Sequence, residues 1–327
     1  MAGRRVVHFF HTSCRWRGAC YSIVCTVAAI FIWQFAVPAH AQTQKPAGPL
    51  HIEKIRGDLY MLSGVSGEGD VGVEVTSEGV ILGDDMFDRN HDDLLAQVKS
   101  VSDKPVKYVF NTHYHDDHSG GDAKMLPIAA IIVPENLRAN LAAHKLPYYE
   151  DTPGTPIGLP QVTFTDQTSV HLGGKEVRAY YFGRGHTNGD AIIYYPDEKT
   201  IQTGDLFLAR TGPALSKLFI FVDYAHGASL VEWTRTLDRA LALDFDRVIP
   251  GHGPVSTRAD VVKFKSELEA MRTRLTGLIK QGTSKADIAK VMESDYGWKV
   301  TGCPPSPPMP GCLSYQQLDG LINELKQ

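Results

Sequence analysis

From residue 50 onward, short apolar runs alternate with glycine-rich or polar punctuation. Ile52–Ile55, Leu59–Leu62, Gly69–Thr76 and Val80–Gly83 read as strands, bounded by turn residues. Val71-Gly72-Val73-Glu74-Val75 alternates in the way a half-buried strand requires. Leu94–Val101 has helical spacing, with Asp92 and Asp93 at its positive end. Val106–Phe110 and Ile128–Val133 are further strands, and Pro134 is placed to open a helix running to about His144. Strands resume at Val162–Phe164, Ser169–Leu172, Val177–Phe182, Asp190–Tyr195 and Thr200–Gly204, and the last is Arg247–Ile249. Helices are expected over Ser229–Leu243 (capped by Ser229), Arg258–Gln281, Ser284–Ser294 and Ser314–Lys326. This order of strands and helices predicts an α/β (α+β) chain folded as a four-layer αβ/βα sandwich of two mixed sheets, although no internal sequence repeat relates its halves.

The first 41 residues are different material. Arg4, Arg5, Arg15 and Arg17 precede the mostly apolar Ala19–Phe35, and Ala39-His40-Ala41 forms a small-x-small site before Gln42. The expectation is a signal peptide over 1–41 and a flexible lead-in over 42–49, hence an exported, periplasmic or secreted protein with no stable membrane span after cleavage. An uncleaved membrane anchor is the alternative, and the Ala-x-Ala site favours cleavage. Loss of the leader removes four Arg and no acid, so the formal charge moves from −4 to −8, with 29 basic against 37 acidic residues. Such a surface is a poor partner for nucleic acid and leaves a small-molecule substrate as the expectation. Cys303 and Cys312 are the two cysteines outside the leader. In an oxidising compartment they read as one local disulfide, with two free thiols as the alternative.

The chemistry concentrates after the Val106–Phe110 strand, in Asn111-Thr112-His113-Tyr114-His115-Asp116-Asp117-His118. Imidazoles and carboxylates at this density suit a borderline metal such as zinc. Gly185-His186, Gly204-Asp205 and Gly251-His252-Gly253 also follow strand-like runs. Each taken singly is more often an ordinary loop histidine or turn. Together they repeat one grammar of strand, glycine and ligand, in which glycine permits tight bending. His51, His91, His144, His171 and His226 have no such setting and read as structural or surface residues.

With these residues the chain resembles the metallo-β-lactamase superfamily of metallohydrolases. The resemblance spans roughly residues 50–255 and rests on His113-x-His115-x-Asp117-His118, His186, Asp205 and His252 in the family's order. It implies a catalytic domain over 50–256, followed by a helical extension over 257–327. It also implies two divalent metal ions, zinc first, with iron or manganese accepted by the same ligand types. His113, His115 and His186 would hold one metal, Asp117, His118 and His252 the other, and Asp205 would bridge them. Asp84 would fix a ligand imidazole from behind, with a register uncertainty of one against Asp85. Asp117 would additionally orient the nucleophile or pass a proton. A metal-bridging hydroxide would then attack an ester, thioester, lactone or amide carbonyl. The true zinc β-lactamases typically carry Cys or Ser in place of Asp205, so the resemblance favours esters, thioesters and lactones. β-Lactams are the first alternative, and phosphodiesters or a diiron or persulfide oxidoreductase the next. Substrate selectivity would come from Gly64–Gly69, Leu146–Pro160 and Arg210–Tyr224. Lys217 is a candidate carboxylate anchor or a plain surface residue, and Tyr114, Tyr148 and Tyr149 are candidate pocket walls or packing residues.

Overall fold

The computed structural model describes residues 48–143, 158–209, 220–300 and 315–327. Residues 1–41, Tyr148, Tyr149, Lys217, Cys303 and Cys312 lie outside the described residues, as do most of 146–160 and 210–224.

Seven strands form the first sheet in sequential order: β1 (His51–Arg56), β2 (Leu59–Ser63), β3 (Val71–Val75), β4 (Val80–Gly83), β5 (Val106–Phe110), β6 (Ala130–Pro134) and β7 (Val162–Phe164). Pairing is antiparallel from β1 to β4 and parallel from β4 to β7. Between these strands lie α1 (His91–Val101), α2 (Asp116–Ser119), α3 (Asp122–Met125) and α4 (Glu135–Ala143). The second sheet comprises β8 (Gln167–Leu172), β9 (Lys175–Tyr181), β10 (Ala191–Tyr195), β11 (Thr200–Gln202), β12 (Arg247–Ile249) and β13 (Ser256–Thr257). Helices α5 (Leu230–Ala240), α6 (Arg258–Lys280), α7 (Lys285–Tyr296) and α8 (Tyr315–Leu325) complete the chain.

Both sheets are buried on two faces, and the period of two divides each strand's side chains between neighbouring cores. In β4, Val80 and Leu82 pack with Leu94, Val98 and Leu137 on the helical side, whereas Ile81 faces the second sheet. In β10, Ile193 and Tyr195 join Ile81 and Phe110 between the sheets, whereas Ile192 and Tyr194 pack under Trp233, Phe264 and Leu268. These cores give the four layers expected of the sandwich. Among the described residues, no helix is long and apolar enough to cross a membrane.

Element bounds shift in three instructive places. Pro134 ends β6, and the helix begins one residue later at Glu135. β13, after the expected final strand, adds a two-residue edge. The His-rich stretch expected as a loop is partly helical, because His118 N and Ser119 N both donate to His115 O at 2.9 Å. Ser229 and Ser284 cap α5 and α7, and Thr257 with Asp260 forms a capping box on α6.

Candidate metal centre

Strand direction brings the polar segments to one end of the sandwich. Asp84 follows β4 and residues 111–118 follow β5. His186 lies beyond β9, Asp205 beyond β11 and His252 beyond β12. Antiparallel pairing of β10 with both β9 and β11, and parallel pairing of β11 with β12, point the ends of β9, β11 and β12 the same way.

All seven residues singled out from sequence converge there. His115 Nδ1 lies 3.1 Å from His113 Nε2 and 2.9 Å from His186 Nε2. The edge of a zinc coordination tetrahedron is roughly 3.3 Å for Zn–N near 2.05 Å, so the three nitrogens are spaced to share one ion. Asp205 Oδ2 closes this corner at 3.5 Å from His186 Nε2. Its other oxygen, Oδ1, lies 3.3 Å from His118 Nε2 and 3.4 Å from His252 Nε2. Asp117 Oδ2 joins that second corner, 3.1 Å from His252 Nε2 and 3.7 Å from His118 Nε2. Groups able to hold a metal are therefore His113, His115, His186 and Asp205 on one side, and His118, Asp205 and His252 on the other. His113, Asp117 and His118 form a further such group.

Three buried atoms here have no hydrogen-bond partner among the described residues: His118 Nε2, Asp117 Oδ1 and Asp205 Oδ1. A buried polar group without a partner costs about 1–3 kcal/mol. Their convergence on one space lined by nitrogen and carboxylate fits a divalent cation.

Partners behind each imidazole select the nitrogen that faces the centre. His118 Nδ1 meets Asp84 Oδ2 at 2.8 Å. Asp84 also accepts from Thr112 N (2.6 Å), Thr112 Oγ1 (2.9 Å) and Gln202 Nε2 (3.1 Å). These bonds hold Asp84 at a φ of 66°, a left-handed conformation that Asp tolerates better than most residues. Asp85 instead accepts from Gly121 N, which resolves the register in favour of Asp84 as the partner of His118. His186 Nδ1 meets Phe221 O at 2.7 Å, and His252 Nδ1 meets Glu68 O at 3.1 Å. The expected selectivity segment Gly64–Gly69 thus touches the site. At Gly69 a Cβ would lie 2.5 Å from the His118 ring, so only glycine fits.

His115 has a partner that the sequence reading missed. Its Nε2 lies 3.2 Å from Asp223 Oδ2, and the same oxygen accepts from Tyr114 Oη at 2.5 Å and meets His226 Nδ1 at 2.8 Å. Tyr114 is thus a buried packing residue rather than a pocket wall, and His226 belongs to the site's support. The available signal was an Asp three residues before a His in the long segment after Asp205, which is too weak to select.

The two corners differ electrically. Burial, reinforced by the neighbouring imidazoles, holds the pKa of His113 well below the usual histidine value. Burial also lowers that of His186. At His118 burial opposes a charge, yet Asp117 and Asp84 raise its pKa well above the usual value. His252 is similarly lifted against desolvation, by Asp205 and Asp117, to about 9. Burial disfavours the Asp205 carboxylate, but His252, His186 and His118 hold its pKa well below the ordinary range. His252 is the most open of the set, with 32% of its side chain exposed.

Comparison with known proteins agrees with this geometry. The family model described as the metallo-beta-lactamase superfamily matches residues 72–252. The 2,4-dinitroanisole O-demethylase subunit alpha of Nocardioides sp. (strain JS1661) is 28% identical over 149 residues, 46% of this chain and 41% of that protein. The metallo-beta-lactamase type 2 of Bacillus cereus is 27% identical over 186 residues, 56% of this chain and 66% of that protein. The chain therefore spans less than two thirds of the length of these two relatives. Among solved structures, a metallo-beta-lactamase from Pontibacter korlensis superposes with a TM-score of 0.57 at 24% identity, covering 67% of this chain and 99% of that one. The DIM-1 metallo-beta-lactamase gives 0.55 at 20% identity, covering 69% and 99%.

Proposed function

From the premise that the chain belongs to the metallo-beta-lactamase superfamily, whose members are metal-dependent hydrolases, we propose an exported hydrolase of small acyl compounds that holds two metal ions, zinc first. The observation that carries the two-metal reading is Asp205, whose two oxygens face different groups of imidazoles. One carboxylate placed in this way suits two cations a few ångström apart. His113, His115 and His186 would hold the first, and Asp117, His118 and His252 the second. When bound, such ions supply Lewis acidity and an ionised water at neutral pH.

The chain's own residues support the rest of the reaction. Asp117 presents Oδ2 to His252 and leaves Oδ1 without a partner among the described residues, placed to hold a proton near the reacting carbonyl. His252, half-open at the rim, marks the side from which substrate approaches. An acidic chain repels polyanions, which puts esters, thioesters and lactones ahead of phosphodiesters. The carboxylate at Asp205, rather than Cys or Ser, supports the same preference. A second reading, β-lactam hydrolysis, is favoured by the names of the relatives.

The test combines metal analysis with turnover on an ester, thioester, lactone and nitrocefin panel. Two equivalents of metal and chelator-sensitive hydrolysis, fastest on an ester or lactone, are expected. Nitrocefin as the best substrate would replace the first reading with the second. Metal-independent turnover, or no turnover on any member, would refute both.

A further inference from the structure

Residues 221–229 press against two of the three imidazoles of the first corner. Phe221 O accepts from His186 Nδ1, and Asp223 Oδ2 accepts from His115 Nε2. Each bond places the proton on the far nitrogen and leaves the inner one bare, so these acceptors set both tautomers and both ring angles. The segment is tied to the His186 loop through Asp223 N to His186 O (3.0 Å), Asn188 N to His226 O (3.1 Å) and Ser229 N to Gly185 O (3.1 Å).

Its other side is held from the C-terminal helix. The Glu324 carboxylate on α8 accepts from Tyr224 Oη (2.8 Å), Ser229 Oγ (2.5 Å), Leu230 N (3.0 Å) and Val231 N (3.4 Å). One anion thus fastens both ends of the 224–229 turn and sits at the N-terminus of α5, where the helix dipole favours negative charge. The Tyr224 ring lies so close to Gly320 that a Cβ there would be 2.5 Å from a ring carbon. Leu318, Leu321, Ile322 and Leu325 anchor α8 in the core shared with Trp233 and Phe264.

We propose that Glu324 is a positioning residue for the metal corner of His113, His115 and His186, acting through Tyr224 and the 221–223 segment. The proposal rests on the metal-site reading above. It makes the C-terminal helix, which follows the matched residues 72–252, part of the centre's support.

The test measures metal affinity by competition with a chromophoric chelator, together with the visible spectrum of the cobalt-loaded protein. Glu324→Ala is expected to weaken metal binding by about 10-fold, the scale for outer partners of metal ligands, and to shift the cobalt bands. Glu324→Gln keeps a carbonyl acceptor and should recover part of both. Leu321→Ala loosens the same helix without removing an acceptor and should leave affinity and spectrum within about twofold of wild type. Wild-type affinity and spectrum in Glu324→Ala would overturn the proposal, and so would equal losses in Leu321→Ala. A wild-type protein that binds no metal would overturn the metal-site reading and this proposal with it.

Discussion

Both ends of the sandwich bury carboxylates between the two sheets, and they resolve the charge differently. At the end opposite the metal centre, Glu74 from β3 and Glu198 after β10 are 1% and 3% exposed, with Asp58 and Asp197 at the rim. Lys175, the first residue of β9, reaches into them, 2.5 Å from Glu198 Oε1 and 3.3 Å from Glu74 Oε1. That end carries its own cation. At the metal end Asp84 is held by Thr112, Gln202 and His118, whereas Asp117 and Asp205 face imidazoles, and inward atoms of Asp117, Asp205 and His118 have no partner among the described residues. Burial of unpaired charge is too costly to persist without compensation, so the metal end is shaped for a cation from outside. The same sheets thus close one cluster with a lysine and leave the other to bind.

The contrast breaks most sharply at Asp205. Asp205→Ala removes the oxygen facing each corner, so bound metal should fall to one equivalent or less, and activity by on the order of 100-fold or more, beyond the loss expected from an outer partner. Retention of two metals with wild-type turnover would refute the bridging role. The folded state should persist, because a small side chain leaves His118 and His252 room to take up water.

At the opposite end the loss should be in stability rather than metal. Lys175→Met leaves Glu198 buried without its cation and takes the ammonium away from Glu74, and breaking a buried pair costs about 3 kcal/mol. Urea unfolding should register that loss while metal content stays at the wild-type level. Unchanged stability would mean that the lysine is not the compensating charge. A loss of metal would mean that the two ends are coupled through the sheets.

The difference between the ends also explains what was legible in the sequence. The bounds of β4, β5, β7 and β12 could be read directly, because apolar runs end at glycine or polar residues. The seven residues that meet at the centre were visible because each pairs a ligand-type side chain with a neighbouring glycine or a dense local motif. The supports were not visible. Asp223 reaches His115 across 108 positions, and Gln202 reaches Asp84 across 118. The acceptors for His186 and His252 are backbone carbonyls that any residue supplies. Lys175 and Glu74, 101 positions apart by numbering, look like ordinary solvated charges in their own strands. α2 was hidden because a four-residue helix has no periodicity to detect.

The finest test concerns the proton at the lysine end. Burial first, and then Glu198, push the Glu74 carboxyl up from 4.5 to about 8, against the pull of Lys175. Below about pH 4.5 the folded and unfolded chains both hold this proton, so it has no effect on stability there. Between about 4.5 and 8 the unfolded chain releases it while the folded chain keeps it, so stability falls as pH rises through that window. Above about 8 both forms are ionised and the contribution is level. One proton gives a slope of at most about 1.4 kcal/mol per pH unit, approached in the middle of that window. In Glu74→Gln the side chain stays neutral at every pH, so the difference in unfolding free energy from wild type should grow in the variant's favour from pH 5 to pH 8. The metal end should be indifferent to the change, which chelator competition at each pH would check. A difference that stays flat over that range would show that Glu74 ionises normally beside Lys175, and that the lysine end compensates its charge fully.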